Sequence, residues 1–420
     1  MSKKNIKPLL PKFRFPEFQN SGEWDYPNGN KLFEPIVNKD HNSDLPILAI
    51  SQDYGAIPRD MIDYHISVTE KSIESYKVVE IGDFIISLRS FQGGIEYSAY
   101  KGICSPAYII LRKKFDKIEN HFYRFYFKSI SFIKELNKNI EGIRDGKMVS
   151  YTQFSELNLP FPDYSEQQKI ADCLTSLDEL ISTELDKLEA YKAQKKGLMQ
   201  KLFPAEGETL PEWRFPEFQG KGEWEEKRLG DVTENVMYGM NAPSIEFDGK
   251  NKYIRITDID EDTRLFSPNQ LTSPKGSLED KYMVNIGDVL FARTGASVGK
   301  SYLHQSKNEK IYFAGFLIRF SITEAIPYFV YTQTLTLKFQ QWVAVTSIRS
   351  GQPGINAEEY KSFSICIPPD NEKHEQKKIV DCLTSLDALI IAQTQKIEAL
   401  KTHKRSLMQG LFPSADEVGV

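Results

Sequence analysis

Four short segments combine arginine with glycine and with hydroxyl, amide or amine side chains: SLRSFQGG from Ser87, GIRDGK from Gly142, ARTGASVGK from Ala292 and SIRSGQPG from Ser347. A guanidinium fork matches the two acceptors of guanine. An amide matches adenine, and hydroxyls, ammonium groups or backbone N–H groups match phosphate. Arg89, Ser90, Gln92, Arg144 and Lys147 are therefore candidate DNA contacts in the first half of the chain. Arg293, Thr294, Ser297, Lys300, Arg349 and Gln352 are the candidates in the second half. Each loop also has a plainer reading as a surface turn with a solvated arginine, and that alternative stays open. The recurrence of Arg89 with Arg293, and of Arg144 with Arg349, weighs toward a shared role.

Other chemistry is missing. There is no GxGxxG after a strand, no HExxH, no GxSxG elbow and no clustered Cys/His. ARTGASVGKS has three residues between Gly295 and Gly299, where a phosphate-binding P-loop needs four, so no nucleotide site is expected. The acids of ITDIDEDT (Asp258, Asp260, Glu261, Asp262) read as a solvated loop or strand end, and no metal site is expected. No Asp- or Asn-Pro-Pro-aromatic cleft motif of an adenine methyltransferase occurs. No catalytic site of the chain's own is expected.

The elements that must position the arginine loops show themselves by repetition. LPKFRFPEFQNSGEW from Leu10 and LPEWRFPEFQGKGEW from Leu210 agree at eleven of fifteen positions. EQQKIADCLTSLDELI from Glu166 and EQKKIVDCLTSLDALI from Glu375 agree at thirteen of sixteen. Between these near-constant parts lie two divergent stretches. Short β-branched and aromatic runs such as DFIISLRS and GDVLFARTG alternate there with helical ones, which reads as mixed α/β. The boundaries drawn from this are a first domain over 1–164, a helix over 165–203, a second domain over 204–373, a helix over 374–413 and a tail over 414–420. The chain begins and ends like two halves of its own internal linker, so a circular arrangement with adjacent termini is expected.

Apolar residues in the two helices follow a heptad seam. In the first it is Ile170, Leu174, Leu177, Ile181, Leu188, Tyr191, Leu198 and Leu202. In the second it is Ile379, Leu383, Leu386, Ile390, Ile397, Leu400, Leu407 and Leu411. Each helix would be roughly 50 Å long. An apolar stripe must be buried, and the other copy is the obvious partner, although each helix could instead lie on its own domain. One antiparallel register sets Leu188 opposite Leu400, Tyr191 opposite Ile397 and Ile181 opposite Leu407. It also sets Glu184 against Lys404 and Lys195 against Gln393.

Composition is that of an ordinary globular protein, 40% hydrophobic and 26% charged. The net charge of -5 argues against a lone DNA-binding domain. Yet residues 101–147 hold eleven Lys/Arg against five Asp/Glu, and residues 292–350 hold seven against two. No apolar run suggests a membrane span or signal peptide, and the four cysteines form no CxxC pair, so a reduced, cytoplasmic chain is expected.

The order of a variable domain, a proline-rich segment, an EQxKIxDxLxSLDxLI helix ending in LMQxLFP, then RFPEF…GEW and a repeat of the whole resembles the specificity subunit of a type I restriction–modification system. RTGASVGK followed by IRSGQPGINAEEYKSFSICIPP is also similar to that family's recognition domains. The resemblance implies two α/β target recognition domains separated by two long antiparallel helices in a coiled-coil spacer, with pseudo-two-fold, circular arrangement. It implies a partner, double-stranded DNA, read as two half-sites. It further implies two modification (methyltransferase) subunits, which bring S-adenosylmethionine, and restriction (translocase/nuclease) subunits, which bring ATP and Mg. This chain would bind no cofactor itself. Three other readings stay open: a coiled-coil protein-interaction scaffold without DNA recognition, an enzyme such as a nuclease with an unrecognised site, and a specificity subunit of another restriction–modification type.

Overall fold

The computed structural model describes residues 10–41, 44–62, 73–88, 90–138, 149–261, 263–370 and 373–413. The chain divides into two compact units: Met1–Asp186 with Thr394–Val420, and Lys187–Gln393. Both divisions fall inside long helices, so each unit owns one half of each.

In the first unit a four-stranded antiparallel sheet is built from β1 (Phe33–Ile36), β2 (Phe84–Ile86), β3 (Glu96–Tyr97) and β4 (Ile109–Lys113), in the order β1-β4-β2-β3. Phe84 faces Leu111 across β2 and β4. The central strand FII is buried throughout, because both faces of the sheet are covered. Phe84 and Ile86 enter an aromatic core with Phe33, Tyr123, Phe127 and Phe154. Ile85 points the other way, toward Leu48, Val79 and Ile110. α1 (Asn120–Tyr126) and α2 (Ile130–Lys138) line the aromatic side, and α3 (Tyr164–Leu202) follows.

The second unit repeats this plan. β5 (Thr233–Tyr238), β6 (Asp288–Ala292), β7 (Ser301–Leu303) and β8 (Leu317–Ile322) pair in the order β5-β8-β6-β7. Val289 and Phe291 join Ile318 and Phe320 in one core. Leu290 and Ala292 join Ile254, Ile311 and Leu317 in another. The helices are α4 (Pro327–Gln333), α5 (Leu337–Thr346), α6 (Ala357–Lys361) and α7 (His374–Leu411). Each central strand is introduced by the same Gly-Asp turn. Gly82 and Gly287 take φ of 94° and 88°, and Asp83 and Asp288 accept the N–H groups of Glu80 and Asn285 at 2.8 and 2.7 Å. Each Asp also meets an arginine of the neighbouring strand, Arg112 or Arg319.

The repeated linker motifs serve as clasps. Arg14 donates Nε and an η nitrogen to the Glu166 carboxylate, both at 2.7 Å, and Arg214 does the same to Glu375. Both glutamates are almost fully buried. Lys169 pairs with Glu17 and Lys378 with Glu217. The glutamine after each buried glutamate ties the helix to its domain. Gln167 accepts from Glu119 N–H, and Gln376 from Ile326 N–H, both at 2.9 Å. The linker itself joins its helix end in the same way twice. Trp213 N–H donates to Lys201 O and Phe13 N–H to Gly410 O, at 2.9 and 2.8 Å. The first link is made along the chain and the second between its N- and C-terminal segments. The tail over 414–420 lies outside the described residues.

All the predicted seam positions are buried or half-buried. Their ion pairs, however, differ from the register expected above. In the first unit Glu184 pairs with Lys396 at 2.6 Å, and Lys404 pairs with Asp178. In the second, Lys195 pairs with Asp387 at 2.5 Å. The antiparallel halves are therefore shifted by about one heptad from the expected match. By position, a heptad slip keeps seam facing seam but sets Glu184, Lys195, Gln393 and Lys404 against apolar seam residues, so the apolar match alone favours the expected register and is overridden here. The choice is made by Asp178 and Asp387, which flank the seam, and by the domain cores. Ile170 and Leu174 share a core with Leu411, and Leu202 shares one with Ile379 and Leu383.

Candidate nucleic-acid interface

In the second unit β6 delivers Ala292 to the base of a loop. Gly295 and Gly299, with φ of 79° and 86°, turn the chain back into β7. The loop closes on itself through Ala292 N–H to Lys300 O and Gly299 N–H to Ala292 O. The buried Tyr360 hydroxyl plugs its base, donating to Ala292 O at 2.7 Å and accepting from Gly299 N–H at 3.0 Å. Burial pushes this phenol up, so it stays a donor.

The second arginine loop lies directly alongside. Gly295 N–H donates to Pro353 O, Ile355 N–H to Arg293 O, and Thr294 bridges Gly354. The structure thus brings Arg293, Thr294, Ser297, Arg349 and Gln352 onto one pair of zipped loops. The two arginines are held differently. The η nitrogens of Arg349 are spent on Thr346 O, Ile348 O and both oxygens of Glu359, the last at 2.5 and 2.6 Å. Its terminal fork is not free for guanine; it braces the turn instead. Arg293 lies with Cζ 5.1 Å from the ring centre of Tyr238. Among the described residues it has no ion-pair partner.

Lys300 does not serve as an outward contact. It is 5% exposed, and its Nζ donates to Ile259 O at 3.0 Å and pairs with Glu261. The remaining acids of that loop are also occupied. Asp258 holds Arg255 through two bonds of 2.8 Å, and Asp260 accepts from Thr263. Asp262 lies outside the described residues. Part of the basic excess over 292–350 is spent the same way, since Arg319 and Lys338 face Asp288 and Glu226. Sequence reasoning missed Tyr238 and three exposed apolar side chains near these loops, Phe316, Val345 and Ile348. Nothing local marks them, because exposure is decided by the fold.

In the first unit Arg89, Arg144 and Lys147 lie outside the described residues. Ser90 is buried, and its Oγ accepts from Ser87 N–H at 2.8 Å, which makes it a turn-forming group rather than a surface contact. Gln92 is exposed. Counted from the shared Gly-Asp turn, Leu88 rather than Arg89 stands at the position of Arg293. The turn carrying Gln92 is tied down by Lys128, whose Nζ donates to Gly93 O at 2.9 Å and to Glu96 at 2.5 Å. Burial pushes the Glu96 carboxyl up to about 7, partly opposed by Lys128. The four cysteines are free thiols. Among the described residues no helix is long and apolar enough to cross a membrane, and no His, Cys, Asp and Glu group has metal-binding geometry.

Comparison with known proteins matches residues 25–190 and 221–402 to the family model described as type I restriction modification DNA specificity domain. Among curated relatives, the putative type I restriction enzyme MjaX specificity subunit of Methanocaldococcus jannaschii is 22% identical over 374 residues, covering 84% of this chain and 82% of that one. The MjaVIII specificity subunit of the same organism is 24% identical over 361 residues, covering 83% and 81%. Among solved structures, the S subunit of a type I restriction–modification system from M. genitalium superposes with a TM-score of 0.56 at 16% identity. That match covers 97% of this chain and 100% of the other. A chain from work on complex assembly and conformational transition of the type I R-M system gives 0.53 at 16% identity, covering 99% and 100%.

Proposed function

The chain belongs to the type I restriction–modification DNA specificity family, and from that premise we propose that its two variable domains each read one half of a split double-stranded DNA target. The observation that carries this is a repeated scaffold with unlike loops. The strand order, Gly-Asp turn and Arg–Glu clasp recur in both units. Among the described candidates, the loops of the second scaffold carry Arg293, Thr294 and Gln352, and those of the first carry Gln92. A shared frame with different contact residues suits two different half-sites. The long helices act as the spacer, and the near-copied starts that they share, thirteen of sixteen positions, suit two identical modification subunits. Those subunits would supply S-adenosylmethionine and methylate adenine. Restriction subunits would supply ATP-driven translocation and cleavage. This chain supplies recognition rather than chemistry, in the cytoplasm where the DNA is.

The test is to map methylated adenines in cells expressing the chain with its modification subunit, as wild type and as Arg293→Ala. A split motif that relaxes in one half only supports the reading. Methylation that does not depend on the chain at all would overturn it.

A further inference from the structure

Tyr238 ends β5, which β8 separates from β6 and the loop that carries Arg293. It is paired across the sheet with Ile318. The residue is 39% exposed, and its ring lies under the Arg293 guanidinium. Its hydroxyl accepts from Ala357 N–H at 3.0 Å. That N–H belongs to the first turn of α6, where Asn356 and Glu359 form a reciprocal cap. Glu359 in turn holds Arg349. The ring is thus fixed at one end by its strand and at the other by a capped helix. The backbone of Arg293 is fixed as well, by Phe316 O and Ile355 N–H.

A guanidinium held over an aromatic face by cation–π attraction need not spend its N–H donors on a hydrogen bond, and among the described residues the Arg293 guanidinium makes none. The ring also restrains the rotamers that a free arginine would lose on binding. This is the geometry an arginine needs to meet the two acceptors of guanine in the major groove. Arg349, whose η donors are spent, cannot do so without releasing Glu359.

We propose that Tyr238 is the positioning residue for base reading in the second domain, holding Arg293 edge-outward toward the guanine of one G·C pair. This rests on the DNA-reading function proposed above. It adds which side chain reads, which one aims it and which base is taken.

The test uses the full chain assembled with its modification subunits. Binding is measured to a panel of duplexes carrying the methylated motif, each with one base pair changed. Wild type is compared with Arg293→Ala, Tyr238→Leu and Tyr238→Phe. Arg293→Ala is expected to lower discrimination at a single G·C pair by about 10- to 100-fold. Tyr238→Leu is expected to lower it at that same pair by about 5-fold or more, with the other half-site unchanged. Tyr238→Phe keeps the ring and loses only its anchor, so it should retain most of the discrimination. That variant also separates aiming from folding.

If Arg293→Ala relaxes one pair but Tyr238→Leu leaves it as in wild type, the platform is wrong while the DNA-reading function stands. Equal weakening on every duplex by Tyr238→Leu overturns the platform too. Relaxation at an A·T pair overturns the guanine assignment. If neither variant changes any duplex, the loops are not the reading surface.

Discussion

The heptad shift of the long helices can be tested by coupling. Lys195 Nζ lies 2.5 Å from Asp387 Oδ1, with the side chains 16% and 32% exposed. With charge centres about 4 Å apart, the attraction is about 1 kcal/mol in water and about 4 kcal/mol at the effective dielectric of a protein surface. Desolvation of two largely covered groups offsets part of this, leaving a net coupling of about 1–2 kcal/mol. Asp387 also accepts from the Tyr328 hydroxyl, so removing it alone mixes two losses. A double-mutant cycle isolates the pair. Lys195→Ala, Asp387→Ala and the double variant are compared with wild type by urea denaturation. The same cycle is run on Lys195 with Gln393, the pairing expected from the seam alone. Coupling of about 1–2 kcal/mol is expected for the first cycle and below about 0.3 kcal/mol for the second. The reverse result would refute the heptad shift.

Truncation of Arg214 to Ala leaves the buried Glu375 carboxylate without its bidentate partner; chemical denaturation should show a loss of about 3–5 kcal/mol. Leu174→Ala and Leu383→Ala each remove a fully buried side chain and should each cost about 2–5 kcal/mol by the same measurement. Glu96 titrates near 7 in the folded chain because it is buried, so the native state holds a proton that the unfolded chain has released. Its contribution is therefore most favourable below the unfolded carboxylate range, and it is lost as pH rises toward about 7. Glu96→Gln should remove that slope. Stability measured at pH 5 and at pH 7.5 should fall less in the variant than in wild type, and equal falls would contradict the assignment.

Much of this architecture was legible in the residues. RFPEF, GEW and the EQ pair recur because each copy must build the same buried clasp, and identical contacts demand identical side chains. The seam leucines and isoleucines were legible for a similar reason, since an apolar stripe of helical period has to be covered. The mixed α/β character followed from short β-branched and aromatic runs alternating with helical ones. The charged residues were read less well. Lys300 and Ser90 have the composition of surface contacts, yet the fold turns both inward. Arg349 and Arg293 sit in similar tetrapeptides, and only one keeps its donors. Sequence composition reports which groups are present, whereas their availability depends on what lies opposite. Lys300 meets Glu261 and two carbonyls, Arg349 meets Glu359, and Arg293 meets the face of Tyr238.

By itself the sequence determined the repeat, the two helices, their apolar faces and the family they belong to, because local periodicity and copied motifs need no partner to be recognised. Only the tertiary structure decided the heptad register and the state of each arginine. Those depend on long-range pairs such as Lys195 with Asp387 and Arg293 with Tyr238, and no local pattern specifies which distant group will lie there.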